Sequence, residues 1–356
     1  ASYNRIDSQG ERPNIILLIL ESGSSVDSMR TSGISDYLPG LDAIQSKGIT
    51  YTNFIANSNT TDNALISMIK GINTIPFSNK TNEITLPEYL NQNGYKTQFI
   101  TTGPLSFLDK KSFLESVGYR KIIGSEHFSE KKKYTFNSAA DEHLYDTDLQ
   151  EIISLEKGDA PYFLTLLTIS QHLVYYTPYG LGKENMYRYT DDTVVQFYKA
   201  LEHAGFFESG ILMIAGDHRK MTPLEPGEYE EYGPSSYSRI IFTVVGKGIQ
   251  SNHIDNNIYQ QTDIYYSLKR RVSDTFIEAP PYNDVFLHDV QRPYATHSLF
   301  SNRSTLVVVT TEDSCKVRLN GDDTAFKDCP GSVERSEMIL NSIANMRAYQ
   351  FHLNTH

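Results

Sequence analysis

The sequence predicts an α/β fold whose mainly parallel sheet is sandwiched between helices, and three observations carry that prediction. Asn14-Ile-Ile-Leu-Leu-Ile-Leu-Glu21 is apolar at every position from Ile15 to Leu20, the pattern of a strand buried on both faces. Comparable runs recur at residues 162–169, 211–215 and 240–245. Between these runs lie segments with helical spacing, and alternating strands and helices build a parallel sheet with helices on both faces. Ligands of such sheets bind at the carboxyl ends of the strands.

In chain order, residues 1–12 are polar and read as a tail or linker. The first strand ends in Glu21 and Ser-Gly-Ser-Ser. Residues 38–47 form an amphipathic helix and 49–54 a strand leading into Asn57-Ser-Asn-Thr-Thr-Asp-Asn-Ala-Leu-Ile-Ser-Met68. There the apolar spacing becomes helical, with Asp62 or Asn63 available as the cap and Gly71 as the stop. Helix 86–93 ends at Gly94 before strand 95–102, and helix 110–116 is followed by Gly118 and a short strand at 119–123. Residues 126–137, with Lys131, Lys132 and Lys133 in the middle, read as a surface loop. Helices follow at 144–156, 189–204 and 261–269. After about residue 290 the pattern turns antiparallel at 306–311 and 316–320, and 332–349 reads as a terminal helix. The expected division is a tail (1–12), a catalytic α/β domain (13–290) and a smaller C-terminal β-rich subdomain with a terminal helix (291–356).

The composition narrows the class. A chain of 356 residues with 39% hydrophobic residues can bury a large core. Its net charge of −11 argues against nucleic-acid binding, which draws on Lys and Arg. The longest aliphatic run is too short to cross a bilayer. With no apolar leader after Ala1, the chain reads as a processed or excised soluble portion, and any membrane anchor lies outside it. Cys315 and Cys329 are the only cysteines, and a local disulfide in an oxidising compartment is expected. Twenty-four tyrosines with no tryptophan suit carbohydrate stacking or reflect compositional drift.

Several groups fall at predicted strand ends. Glu21 closes the first strand, Asp217 and His218 follow strand 211–215, and Thr61 opens a helix whose free N–H groups favour an anion. Two carboxylates, an imidazole and a hydroxyl make a plausible shell for one divalent cation, Mn²⁺ or Zn²⁺. Such an ion lowers the pKa of a hydroxyl nucleophile and neutralises charge on a phosphoryl group. His172, after strand 162–169, is placed to bond a phosphoryl oxygen or assist a leaving group. Each feature alone has a blander reading: a helix cap for Thr60-Thr61-Asp62, a turn for Glu21, a loop for Asp217-His218, a backbone-bonded histidine for His172.

The order of these motifs resembles one family. Leu18-Ile-Leu-Glu21-Ser, Asn-Thr-Thr61-Asp-Asn-Ala-Leu-Ile-Ser-Met, Thr-Ile-Ser-Gln-His172, Tyr-Thr-Asp-Asp192-Thr and Ile-Ala-Gly-Asp217-His218 are similar to the sulfatase-like branch of the alkaline phosphatase superfamily. Within it they resemble bacterial phosphoglycerol transferases, namely lipoteichoic acid synthases and the enzymes that modify periplasmic glucans. The resemblance covers roughly residues 13–270. It implies that Thr61 carries the phosphoryl group covalently and that Glu21, Thr61, Asp217 and His218 hold the metal. A sulfatase nucleophile would be Cys or Ser followed by Pro and Arg, which Thr61-Asp-Asn-Ala lacks. The synthases' Trp-Asn-Arg is replaced by Ser106-Phe-Leu-Asp-Lys110-Lys111, so Lys110 or Lys111, together with His172 and Arg219, is expected to bind substrate. The implied function is transfer of phosphoglycerol from a phospholipid, phosphatidylglycerol, to an envelope glycan on the periplasmic or extracytoplasmic side of a bacterial inner membrane. The alternatives are a phosphoethanolamine transferase acting on lipid A or glycan, and a non-catalytic relative that binds glycan or lipid.

Overall fold

A computed structural model describes residues 12–73, 84–272, 281–299, 305–320 and 323–327. Among them the strands are β1 (Asn14–Leu20), β2 (Ile49–Ile55), β3 (Lys96–Thr101), β4 (Lys121–Ile123), β5 (Tyr162–Leu167), β6 (Tyr176–Thr177), β7 (Gly180–Leu181), β8 (Gly210–Gly216), β9 (Phe242–Gly246), β10 (His253–Gln260), β11 (Asn283–Asp284), β12 (Asp289–Val290), β13 (Ala295–Ser298), β14 (Thr305–Val309), β15 (Ser314–Asn320) and β16 (Asp323–Lys327). The α-helices are α1 (Met29–Ser32), α2 (Pro39–Gln45), α3 (Thr61–Lys70), α4 (Leu86–Gln92), α5 (Lys110–Ser116), α6 (Asp141–Leu155), α7 (Lys183–His203), α8 (Glu228–Tyr232) and α9 (Gln261–Val272).

An eight-stranded sheet runs in the order β10-β2-β9-β8-β1-β5-β3-β4. From β8 to β4 every pairing is parallel, whereas β9 is antiparallel to both β8 and β2. β1 is central and its apolar residues are fully buried, which explains the absence of polar alternation in its sequence. The predicted strands and helices up to residue 272 are present. α7 begins six residues before the expected start, and β10, β13 and the short β6–β7 hairpin are additions. β10 was missed because His-Ile-Asp-Asn-Asn-Ile-Tyr-Gln is polar over half its length.

The chain divides into two compact units built from interleaved segments. One comprises 1–52, 87–216 and 241–255, the other 53–86, 217–240 and 256–356. The first holds the parallel sheet and its main core, in which Leu18, Leu164 and Ile214 on the sheet join Leu144, Phe197 and Leu201 on the helices. There the carboxylate of Asp191 on α7 accepts the N–H groups of Gly40 and Leu41, both at 2.8 Å, and so caps the start of α2. Burial raises the pKa of Asp191 and the two N–H bonds oppose that rise.

The second unit holds the antiparallel sheet β13-β14-β15-β16, with Ala295, Val307 and Val309 packed on Ile55 and Ile258. α3 lies on α9 in this unit. Gly71 ends α3 at φ +66°, and a Cβ there would sit 2.3 Å from the ring of Tyr265, so only glycine fits. Cys315 on β15 is disulfide-bonded, in line with the expected bridge; Cys329 and the expected helix 332–349 lie outside the described residues. Tyr51, Tyr162, Tyr189, Tyr259 and Tyr265 are among the largest fully buried side chains, so many of the tyrosines serve the core. No helix among the described residues is long and apolar enough to cross a membrane.

Candidate active site

In the second unit, the Thr61 stretch is held from both ends. Asn57 donates its N–H to Gln261 Oε1 (3.0 Å) and its side-chain amide to Thr296 O (2.8 Å), and accepts from the N–H groups of Thr262 and Ser298. Gln261 donates in turn to Asp217 O at 2.6 Å, so one side chain fixes both the Asn57 loop and the segment that leaves β8. The cap of α3 is Thr60, ahead of both Asp62 and Asn63, the expected caps. Asn63 instead reaches back to donate to Thr60 Oγ1 (2.9 Å) and Ser58 Oγ (3.2 Å). Thr61 is therefore the first residue of a ten-residue helix, where free N–H groups and the dipole favour negative charge.

The Thr61 hydroxyl donates to Asp217 Oδ2 at 2.7 Å. The other oxygen, Oδ1, accepts the His218 N–H at 2.7 Å. His218 Nδ1 meets Arg219 O at 3.0 Å, and because a carbonyl only accepts, Nδ1 carries a proton. In a neutral ring Nε2 then presents a lone pair, 3.4 Å from Asp217 Oδ2. A lone pair facing a carboxylate oxygen is repulsive unless a cation shares them or the ring takes a second proton. The donor set of carboxylate, imidazole and hydroxyl fits a divalent cation.

His297, on β13, was not anticipated. Its Nδ1 donates to Ala56 O at 2.7 Å, and among the described residues its Nε2 has no hydrogen-bond partner although the ring is fully buried. Burial chiefly, and the charge of His218 to a smaller degree, lower its pKa to about 4. The ring is therefore neutral, with an Nε2 lone pair facing inward. Nothing in the local sequence Ala-Thr-His-Ser marks it, since β13 itself carries no signal of a strand end.

Arg219 is corrected. All five of its N–H groups are used: Nε and Nη2 on Glu228 (3.1 and 2.7 Å), Nη1 on Lys220 O and Thr222 O, and Nη2 also on Pro223 O (3.2 Å). It is buried with its partner and has no donor left for a substrate phosphate. Arg292 makes a similar bidentate pair with Asp263, at 2.9 and 2.7 Å.

In the first unit, Glu21 follows β1 and is buried, with its N–H on Thr168 Oγ1 (3.0 Å) and Oε1 accepting from Ser22 Oγ (3.0 Å). The register pairs Leu20 with Gly216, so Glu21 is the next residue on one strand as Asp217 is on the other. His172 lies in the loop after β5, its Nδ1 on Leu173 O at 2.5 Å and its ring 4.4 Å from that of Phe136. Asp141, at the start of α6, orients this loop by accepting the N–H groups of Ile169 and Ser170, each at 3.0 Å. Lys110 and Lys111 are the first two residues of α5, Lys111 exposed and Lys110 partly so. At the opposite, amino ends of the strands, Asn14, Pro161, Tyr162 and Ser209 line a cleft of ≈ 760 Å³. It gathers none of the groups above.

The Sulfatase family model matches residues 13–271. Lipoteichoic acid synthase 1 of Bacillus subtilis (strain 168) is 23% identical over 223 residues, 54% of this chain and 34% of the synthase. Phosphoglycerol transferase I of Xanthomonas campestris pv. campestris (strain B100) is 24% identical over 153 residues, 38% of this chain and 22% of that enzyme. The chain thus spans about a third or less of these relatives' length. A crystal structure of a protein in the alkaline phosphatase superfamily from Vibrio parahaemolyticus superposes with TM-score 0.73 at 21% identity, covering 97% of this chain and 89% of that one. The lipoteichoic acid synthase LtaP of Listeria monocytogenes gives TM-score 0.73 at 16% identity, covering 97% and 94%. These superpositions establish the alkaline phosphatase-like fold.

Proposed function

Because the chain belongs to the sulfatase family, we propose that it is a metal-dependent phosphoglycerol transferase acting through Thr61. The observation that carries this reading is the Thr61 hydroxyl at the first position of α3, donating to Asp217 at 2.7 Å. The names of the relatives, lipoteichoic acid synthase and phosphoglycerol transferase, favour phosphoglycerol as the group transferred. The absence of Cys or Ser with Pro and Arg at this position disfavours sulfate-ester hydrolysis.

In this reading Glu21, Thr61, Asp217 and His218 hold one Mn²⁺ or Zn²⁺. When bound, the ion acidifies the Thr61 hydroxyl and offsets charge on the phosphoryl oxygens. Thr61 Oγ attacks the phosphorus of phosphatidylglycerol, its proton drawn to Asp217. The phosphorus–oxygen bond to diacylglycerol breaks, and His172 supplies a proton to the departing oxygen. A glycan hydroxyl then attacks the same phosphorus, the bond to Thr61 breaks, and the threonine is restored. The N–H groups at the start of α3 stabilise the phosphoryl oxygens through both displacements. Lys110 or Lys111 contributes charge to the headgroup. The site is expected on the extracytoplasmic side of a bacterial inner membrane, where such lipids and glycans meet.

Mass spectrometry after incubation with phosphatidylglycerol tests the reading: a glycerophosphoryl adduct on Thr61 is expected. An ethanolamine-phosphoryl adduct from phosphatidylethanolamine would reassign the donor. Thr61→Ala is expected to lower diacylglycerol release by about 10³-fold or more while leaving stability within about 0.5 kcal/mol. Equal release by the variant and the native chain would leave a lipid- or glycan-binding protein without this chemistry.

A further inference from the structure

We propose that three loops of the first unit form a docking surface for an anionic phospholipid bilayer, made by this chain's own residues. Phe107 (46% exposed), Leu108 (66%), Leu173 (48%), Val174 (77%) and Leu181 (69%) present large apolar side chains to water. Singly, such residues are ordinary on a protein surface; gathered, they mark an interaction site.

The structure gathers them. The rings of Phe107 and Phe136 meet edge to face with centroids 4.9 Å apart, and Phe136 continues onto His172 at 4.4 Å. Thr135 Oγ1 bonds the carbonyls of His172 (2.8 Å) and Val174 (2.6 Å), which clasps loop 172–174 to the same segment. Tyr134 packs on Tyr176 at 5.1 Å, and Tyr176 pairs with Leu181 across the β6–β7 hairpin. Residues 134–136 thus fasten three separate loops into one patch. Two of its residues, Leu108 and Phe136, are held at φ +52°, a left-handed conformation that bulky side chains enter only at a cost.

Charge selects the occupant. Segments 106–112 and 129–137 carry five lysines (110, 111, 131, 132 and 133) against Asp109 and Glu130, a local net of +3 on a chain of net −11. Lys132 Nζ lies 5.1 Å above the Tyr134 ring and 5.8 Å above that of Tyr176. Apolar residues that enter the interfacial layer, flanked by lysines whose ammonium groups reach anionic headgroups, are the ingredients of peripheral membrane binding. A glycan partner is less well matched, because the three most exposed residues, Leu108, Val174 and Leu181, offer a sugar neither a flat ring nor a hydrogen bond. This surface shares Lys110, Lys111 and the His172 loop with the site proposed above, but Leu108, Val174, Leu181, Lys131 and Lys132 take no part in that chemistry.

The test is co-sedimentation with phosphatidylserine–phosphatidylcholine vesicles, since phosphatidylserine is not the donor proposed for Thr61. The native chain is expected to partition onto these vesicles, and less onto pure phosphatidylcholine or at high salt. Leu108→Asn/Val174→Asn/Leu181→Asn and Lys131→Gln/Lys132→Gln are each expected to lower partitioning about tenfold or more with unchanged melting temperature. Asn is chosen at 108 because it tolerates positive φ. Thr61→Ala should bind vesicles as the native chain does, so loss of the transferase reading would leave this one intact. The proposal is overturned if the native chain does not partition, if the variants partition equally, or if a soluble glycan oligosaccharide, with no vesicle binding, protects the lysines from acylation.

Discussion

His218 and Arg219 are neighbours in sequence, yet they belong to opposite kinds of polar cluster. Around Arg219 every donor has an acceptor: five N–H groups meet one carboxylate and three carbonyls. Around His218 acceptors face one another, with its Nε2 3.4 Å from an Asp217 oxygen that already takes the Thr61 hydroxyl. The buried His297 adds an Nε2 without a hydrogen-bond partner among the described residues. A closed cluster holds a loop in place and wants no guest. An open one gains from an added proton or cation, which the metal proposed above would supply.

The comparison can be broken at several points. In the closed class, Arg292→Met leaves Asp263 buried beside Asn283 and Gln260 N–H groups but without its counter-charge. A loss of about 3–5 kcal/mol is expected in urea unfolding, and Arg292→Met/Asp263→Leu should recover much of it. Recovery failing altogether would mean that the pair also shapes its surroundings.

In the open class, pH is the lever. The pKa of His297 is depressed to about 4 in the fold against about 6.5 unfolded, so the unfolded chain binds more protons between these values. The contribution of the neutral ring is full above about pH 6.5 and is lost as pH falls to about 4, roughly 3 kcal/mol in all. His297→Gln should flatten the acid limb of the stability curve in that window, and a curve parallel to that of the native chain would refute the assignment.

Ligand binding separates the classes further. Mn²⁺ or Zn²⁺ at about a hundredfold its Kd should stabilise the native chain by about 2.7 kcal/mol, read as a rise in melting temperature. Asp217→Asn should abolish the rise, whereas Arg219→Met, though less stable, should keep it. The smallest effect is expected at Asp191, where Asn retains shape but weakens the charged cap on α2, a loss of about 1 kcal/mol.

The parallel sheet was legible because β1, β5 and β8 are buried on both faces and so show unbroken apolar runs. Glu21, Thr61, Asp217 and His218 stood out as candidates for a related reason: each abuts a strand or helix terminus that the pattern locates. His297 and Gln261 were not. Their importance comes from hydrogen bonds to Ala56, Asn57 and Asp217, partners 241, 204 and 44 residues away, which no local pattern encodes. Arg219 was expected to bind substrate, and the sequence gives no sign that Glu228, nine residues on, takes its guanidinium. The interleaved division of the chain into two units was likewise invisible, since neither composition nor spacing changes at residues 53, 87 or 217.

Asn57 has a consequence for synthesis. Its amide and backbone are satisfied by Gln261, Thr262, Thr296 and Ser298, up to 239 residues downstream for the side chain. A ribosome delivers Asn57 before its anchors, by 204 residues for Gln261 and 239 residues for Thr296. The clamp on Asn57 is therefore complete only after residue 298 has emerged, and contacts this distant in sequence form slowly. A nascent chain stalled near residue 290 would carry Glu21, Thr61, Asp217 and His218 with only the Gln261 and Thr262 half of that clamp. The chemistry proposed for Thr61 would thus draw on pieces of chain that are made far apart in time.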